Sequence, residues 1–158
     1  MGTSDASIAG NGRGSAAWSG SWTHFSVDRR SSGYCRVAFD HPPTTATAVA
    51  ELAELVDLIE ADRDLRVVVF DYLAERDAER DAGTTAAWVD LLARLSRAPA
   101  VSIASIRGRA DGVAREFVRA CDLRFASREN ALLGEVRVIA DDELDAEVDR
   151  IASQLAHA

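Results

Sequence analysis

Ala100-Val101-Ser102-Ile103-Ala104-Ser105-Ile106-Arg107-Gly108-Arg109-Ala110-Asp111-Gly112 changes character twice in a short distance. Ala100 to Ile106 is apolar and rich in β-branched residues, as a strand buried on both faces must be. Gly108 to Gly112 then reads as a tight loop, with glycine where backbone must bend or be approached closely. Val113 to Cys121 follows as a short helix and Leu123 to Ala126 as a short strand. Upstream, Thr85 to Arg97 carries Trp88, Leu91, Leu92 and Leu95 on one side, and Pro99 ends it. Before that lies a second β-branched run, Leu65-Arg66-Val67-Val68-Val69-Phe70. Two buried strands joined by one amphipathic helix predict parallel neighbours in an α/β fold with right-handed crossovers.

Further toward the N-terminus the pattern holds. Thr45 to Asp62 has helical period, with Val49, Leu52, Val56 and Ile59 on one stripe and Glu51, Glu54, Asp57 and Glu60 facing away. Thr45 or Thr47 can cap its start. Residues 22–40 alternate as a β-hairpin. Trp22 to Val27 is the outgoing strand, Arg29 to Gly33 the turn and Tyr34 to Phe39 the return. Asp40-His41-Pro42-Pro43 breaks the pairing, since proline cannot donate to a ladder. A polar, charged stretch runs from Asp71 to Gly83. Near the C-terminus, Leu144, Val148, Ile151 and Leu155 form an apolar stripe. Asp141-Asp142-Glu143 caps that helix and places negative charge at its start, where the dipole favours it. A lone stripe must fold back on its own domain or meet a second copy.

The 158 residues suit one domain of ordinary size, and 47% apolar content is enough for a core. The expected division is a disordered Gly/Ser/Ala-rich leader at 1–21, a core at 22–135 and a C-terminal helix at 136–158. Trp18 and Trp22 are placed to pack back on the domain. With 26 acidic against 18 basic residues the net charge is -8, which argues against a phosphate-binding nucleic-acid surface. No apolar run reaches the length of about 18 residues needed to span a bilayer, and the first residues show neither the basic start nor the apolar stretch of a signal peptide, so none is expected. The expected setting is cytoplasmic. Every basic residue is Arg, so neither a Schiff-base lysine nor a Walker-type lysine is available. Cys35 and Cys121 lack a CxxC partner and read as buried reduced thiols. His24, His41 and His157 lack metal spacing, so no metal site is expected.

At this point the sequence resembles the crotonase family, the enoyl-CoA hydratases and isomerases. The likeness rests on Val37-Ala38-Phe39-Asp40-His41-Pro42-Pro43, on Leu65 to Phe70, and above all on Ser105 to Gly112. Glu116, Ala120-Cys121-Asp122-Leu123-Arg124-Phe125-Ala126 and Leu132-Leu133-Gly134 continue it. The resemblance implies a right-handed spiral of ββα units, here truncated and closed by one C-terminal amphipathic helix. It implies the acyl-CoA chemistry of fatty-acid metabolism, with a coenzyme A thioester as substrate and no separate cofactor. Two backbone N–H donors would form an oxyanion hole for the thioester oxygen, and a glutamate would move the proton. Carried over residue by residue, the donors fall at Val113 and Arg76 and the glutamate at Glu116. Gly112, Ala110, Arg109 and Ala74 would line the substrate site.

The pattern is degenerate. Gly112-Val113-Ala114 stands where the family has a run of glycines. Tyr72-Leu73-Ala74-Glu75-Arg76-Asp77 stands where a glycine is usual. The second family glutamate falls at Arg137, with Glu135 nearby, and the segments that follow in the family are missing, with most of its trimer contacts. The expected partner is an acyl-CoA ligand, with no nucleic acid and no membrane, and the chain is a monomer or small homo-oligomer. Activity is expected to be weak or absent. The alternative is a non-catalytic descendant, a pseudoenzyme that binds CoA or a partner. On the residues alone, Glu116 is either a site carboxylate or a surface group paired with Arg115, Arg119 or Arg109. Asp111 either lines a pocket or stabilises its turn. Asp122 reads as a helix-ending residue bonded to nearby backbone. Arg107 and Arg109 either approach a CoA phosphate or sit in water.

Overall fold

The structure, a computed structural model, describes residues 22–29, 33–39, 41–74, 80–130 and 134–158. The leader at 1–21 with Trp18, the hairpin tip at 30–32, Asp40, Arg76 and Leu132-Leu133 lie outside the described residues.

Strand β1 (Phe25–Arg29) pairs antiparallel with β2 (Cys35–Phe39), from Phe25 opposite Phe39 to Arg29 opposite Cys35. The hairpin was expected to start at Trp22, but it begins three residues later and runs through Arg29. The reason is competition for the backbone. The N–H groups of Thr23 and His24 donate to the Glu51 carboxylate at 2.8 and 2.7 Å instead of to a ladder. Burial alone would raise the Glu51 pKa, but these bonds to the charged form hold it below the usual value.

Helix α1 (Ala46–Ala61) starts as its period requires. Thr45, not Thr47, is the cap, accepting from the Ala48 N–H at 3.1 Å. Its stripe of Val49, Leu52, Val56 and Ile59 is buried, joined by Ala48 and Leu55. Then come β3 (Val67–Ala74), α2 (Thr85–Arg97), β4 (Val101–Gly108), α3 (Gly112–Ala120), β5 (Leu123–Ala126), β6 (Arg137–Val138) and α4 (Leu144–Ala156). The six strands form one sheet in chain order. Every pairing after the hairpin is parallel.

Two stretches of strand go beyond the sequence reading. The strand read as ending at Phe70 continues through Asp71 to Ala74. These residues are paired on one side with β4, up to Ala74 opposite Gly108, and Asp71 and Tyr72 also pair with β2. Backbone satisfied from both sides outweighs the low strand propensity of aspartate. The short edge strand β6 carries no sequence signal of its own. It exists because β5 offers it a ladder, Phe125 opposite Arg137.

Alternation along the strands separates two cores. Cys35, Val37, Phe39, Val68, Phe70, Tyr72, Ala104 and Ile106 join the buried faces of α1, α2 and α3. Tyr34, Val67, Val69, Ile103 and Phe125 face the other way and meet Leu144, Val148 and Ala152 of α4. The final stripe thus folds back on its own sheet, with Ile151 and Leu155 only partly buried. The helix start makes no side-chain cap bond, so Asp141-Asp142-Glu143 does not cap by hydrogen bonding. Ion pairs hold that end. Arg107 reaches Asp141 and Asp145 at 2.8 Å each, the buried Arg36 bridges Asp71 and Asp145 at 3.2 Å each, and Tyr34 donates to Asp149.

Candidate active site

In a parallel sheet the carboxyl ends of the strands are where loops diverge and ligands sit. Here β3 and β4 end side by side, with Ala74 opposite Gly108. The chain leaving β4 turns twice through left-handed backbone, φ +84° at Gly108 and +55° at Gly112, conformations that cost a residue with a Cβ. Between them the Ala110 N–H donates to Asn130 Oδ1 at 3.1 Å, which pins the loop. Helix α3 then starts at Gly112, and Asp111 before it makes no side-chain cap bond. The first amides of a helix have no partner within the helix.

The start of α2 is arranged the same way. Thr84 also makes no side-chain cap bond, and its hydroxyl donates instead to the Asp81 carbonyl at 2.8 Å. Both helix starts border one pocket of about 320 Å³, lined by Arg80, Asp81, Ala82, Thr85, Gly112, Val113 and Glu116. Two positive dipole ends converging on one cavity favour negative charge there.

Glu116 lies one turn into α3, on the side facing α2. Trp88 Nε1–H donates to its Oε1 at 2.7 Å, and Arg80 Nε lies 3.7 Å from the same oxygen. The Arg80 guanidinium stands over the Trp88 ring, 5.7 Å from its centre. The expected partners Arg115, Arg119 and Arg109 are therefore not the ones found. Arg109 is 70% exposed and pairs with Asp111 at 3.2 Å. Neither Arg109 nor Asp111 is among the residues lining the pocket. The buried Trp88 ring has one donor and needs an acceptor, and across the α2–α3 seam that acceptor is Glu116.

The other expected positions divide as follows. Gly112 and Val113 line the pocket, while the Val113 side chain also packs in the first core. Ala110 is buried and its N–H is already used, so it offers no donor to a ligand. Ala74 ends β3 beside Gly108. Arg76, the second expected donor, lies outside the described residues. Arg107 pairs with Asp141 and Asp145 and is not among the residues lining the pocket. Glu135 and Arg137 line a different groove with Phe125, and Arg137 also pairs with Glu147 of α4 at 3.3 Å. Asp122 ties β4 to the end of α3, accepting from the Ser102 N–H at 2.9 Å. Sequence reading missed Arg80 and Asp81, hidden in a stretch that looked like any charged loop, and Trp88, assigned only to the core. Among the described residues no cluster of His, Cys, Asp and Glu could hold a metal. Both cysteines are buried and unpaired, and burial pushes their thiols up to about 12. No helix among the described residues is long and apolar enough to cross a membrane.

The chain has the crotonase fold, by its superposition on solved structures. Solved enoyl-CoA hydratase/isomerase proteins carry the same architecture. An enoyl-CoA hydratase/isomerase family protein from Silicibacter pomeroyi superposes with a TM-score of 0.71 at 15% identity, over 85% of this chain and 83% of that one. An enoyl-CoA hydratase/carnitine racemase from Magnetospirillum magneticum gives 0.70 at 18% identity, over 87% and 76%. An enoyl-CoA hydratase from Mycobacterium smegmatis gives 0.69 at 16%, over 85% and 77%. No protein-family model matches the sequence, and no curated protein matches it. The likeness is one of fold, at identities too low to carry an activity across.

Proposed function

We propose that the protein binds a coenzyme A thioester in the Gly112–Glu116 pocket, with the Val113 amide facing the thioester oxygen and Glu116 as its only acid/base. The observation that carries this reading is a single pocket combining the uncapped start of α3 with the Glu116 carboxylate one turn later. Negative charge developing on a thioester oxygen is stabilised by pre-aimed N–H donors, and proton transfer needs a carboxylate within reach. In this reading Arg76 supplies the second donor, no further cofactor is needed, and the protein works in the cytoplasm as a monomer or small homo-oligomer. Hydratase turnover on a short enoyl-CoA is very low, because one matched carboxylate does what efficient hydratases divide between two. A branched residue also stands at one donor position and an arginine at the other.

A non-catalytic CoA-binding role is the second reading, favoured by the position of Glu135 and Arg137 outside the pocket. The test is a thermal melt with crotonyl-CoA, since a ligand that binds only the folded state must stabilise it, followed by loss of the conjugated thioester in wild type and Glu116→Gln. A melt unmoved at millimolar thioester overturns both readings. Turnover on the order of 10 per second, the ordinary enzyme range, overturns the expectation of weak activity. Binding without any turnover selects the second reading.

A further inference from the structure

We propose that Trp88, with Arg80 stacked on its ring, is the positioning residue for Glu116 and sets which carboxylate oxygen meets the ligand; this rests on the reading of Glu116 as the base. Trp88 is fully buried in α2, and its ring packs beside Phe117 of α3 at 6.3 Å between centres. Its N–H is therefore a donor fixed by the core. The Glu116 side chain, by contrast, is 44% exposed and has three rotatable bonds. Left alone it would sample many rotamers in water.

Both contacts that restrain it fall on one atom. The Trp88 N–H and the Arg80 guanidinium each address Oε1, at 2.7 and 3.7 Å. Among the described residues neither contact falls on Oε2, which in this proposal is the oxygen that meets the ligand. Arg80 lines the same pocket and is held in place by the face of the indole. A charged acceptor held by a buried donor is a stronger and better aimed bond than satisfying an indole requires. A base must stand within about 2.6–3.2 Å of the proton it takes, and misplacement by about 1 Å can cost on the order of 100-fold in rate.

The step tested is α-proton exchange on a saturated thioester. The Cα–H bond breaks, Glu116 Oε2 takes the proton, and the electron pair moves to the thioester oxygen. The Glu116 carboxyl exchanges that proton for a solvent deuteron, the electron pair returns from the oxygen to Cα, and the new C–D bond forms there, leaving Glu116 ionised as before. No other reactant is needed. Butyryl-CoA is incubated in D2O with wild type, Trp88→Phe, Arg80→Met and Glu116→Gln, and deuterium uptake is read by mass spectrometry. Affinity is measured separately by titration calorimetry.

The expected result is exchange in the wild type that Glu116→Gln abolishes. Trp88→Phe slows it about 10- to 100-fold, with the butyryl-CoA Kd changed less than threefold. Arg80→Met slows it in the same direction. That split between rate and binding is what a merely structural role would not produce. Trp88→Phe, or Arg80→Met if Trp88→Phe fails to fold, exchanging at the wild-type rate overturns the positioning role and leaves the Glu116 reading intact. No exchange in the wild type, or exchange untouched by Glu116→Gln, overturns the reading of Glu116 and the positioning role with it.

Discussion

Leu144→Ala tests whether α4 belongs to the fold or only lies on it. Leu144 is fully buried in the second core, with Val148 and Ala152 beside it and Val67, Val69, Ile103 and Phe125 of the sheet beneath. Truncation removes the transfer free energy of the lost carbons and leaves a cavity that close-packed strands cannot fill. Buried Leu→Ala changes cost about 2–5 kcal/mol, so a loss of about 3 kcal/mol is expected. For a chain of this size that is roughly 6–12 °C in Tm. With a urea m value of about 2 kcal/mol/M it moves the midpoint down by about 1.5 M. Urea unfolding followed by circular dichroism at two protein concentrations tenfold apart measures both the size and its origin. If α4 were buried by a second copy, the midpoint would rise with concentration. A loss under about 1 kcal/mol, well short of the buried-leucine range, or a concentration-dependent midpoint would refute burial against its own sheet.

Three further outcomes follow from particular residues. Gly112→Ala forces a Cβ into backbone at φ +55° and should cost about 1–2 kcal/mol, with weaker acyl-CoA binding; a more stable variant in urea would show that this turn is not under that constraint. Stability should fall at alkaline pH. Burial raises both thiols to about 12 against about 8.5 in an unfolded chain. Their contribution is therefore complete below about pH 8.5 and is lost as the pH climbs toward 12, with the buried Tyr34 and Tyr72, also raised by burial, adding in the same sense. Equal urea midpoints at pH 8 and pH 10.5 would contradict it. At the acid end, Glu51 is held low by the Thr23 and His24 amides, so its contribution is present above the unfolded carboxylate pKa and lost as pH falls through the folded one. Glu51→Gln should flatten that part of the acid unfolding curve and speed amide exchange at His24; unchanged exchange there would show that the bonds do not hold the entry to β1.

The sequence by itself determined the elements whose cause is local. The stripe of Val49, Leu52, Val56 and Ile59 can only be a helix face, and Val67-Val68-Val69 can only be comfortable in a buried strand. Gly108 and Gly112 sit where the chain needs backbone that other residues resist. From these the parallel pairing of β3 with β4 and the placing of Glu116 one turn into α3 could be read directly. What the tertiary structure decided are the matters that depend on a neighbour. Asp71 and Tyr72 became strand because ladders were waiting on both sides, and β4 alone carried the strand on to Ala74. Arg107 was drawn to the start of α4 because Asp141 and Asp145 stand there. The partner of Glu116 is Trp88, 28 residues away in the chain, and no helical spacing within α3 points to it. A side chain's period is set by its own backbone, but its hydrogen-bond partner is set by whichever element packs across from it.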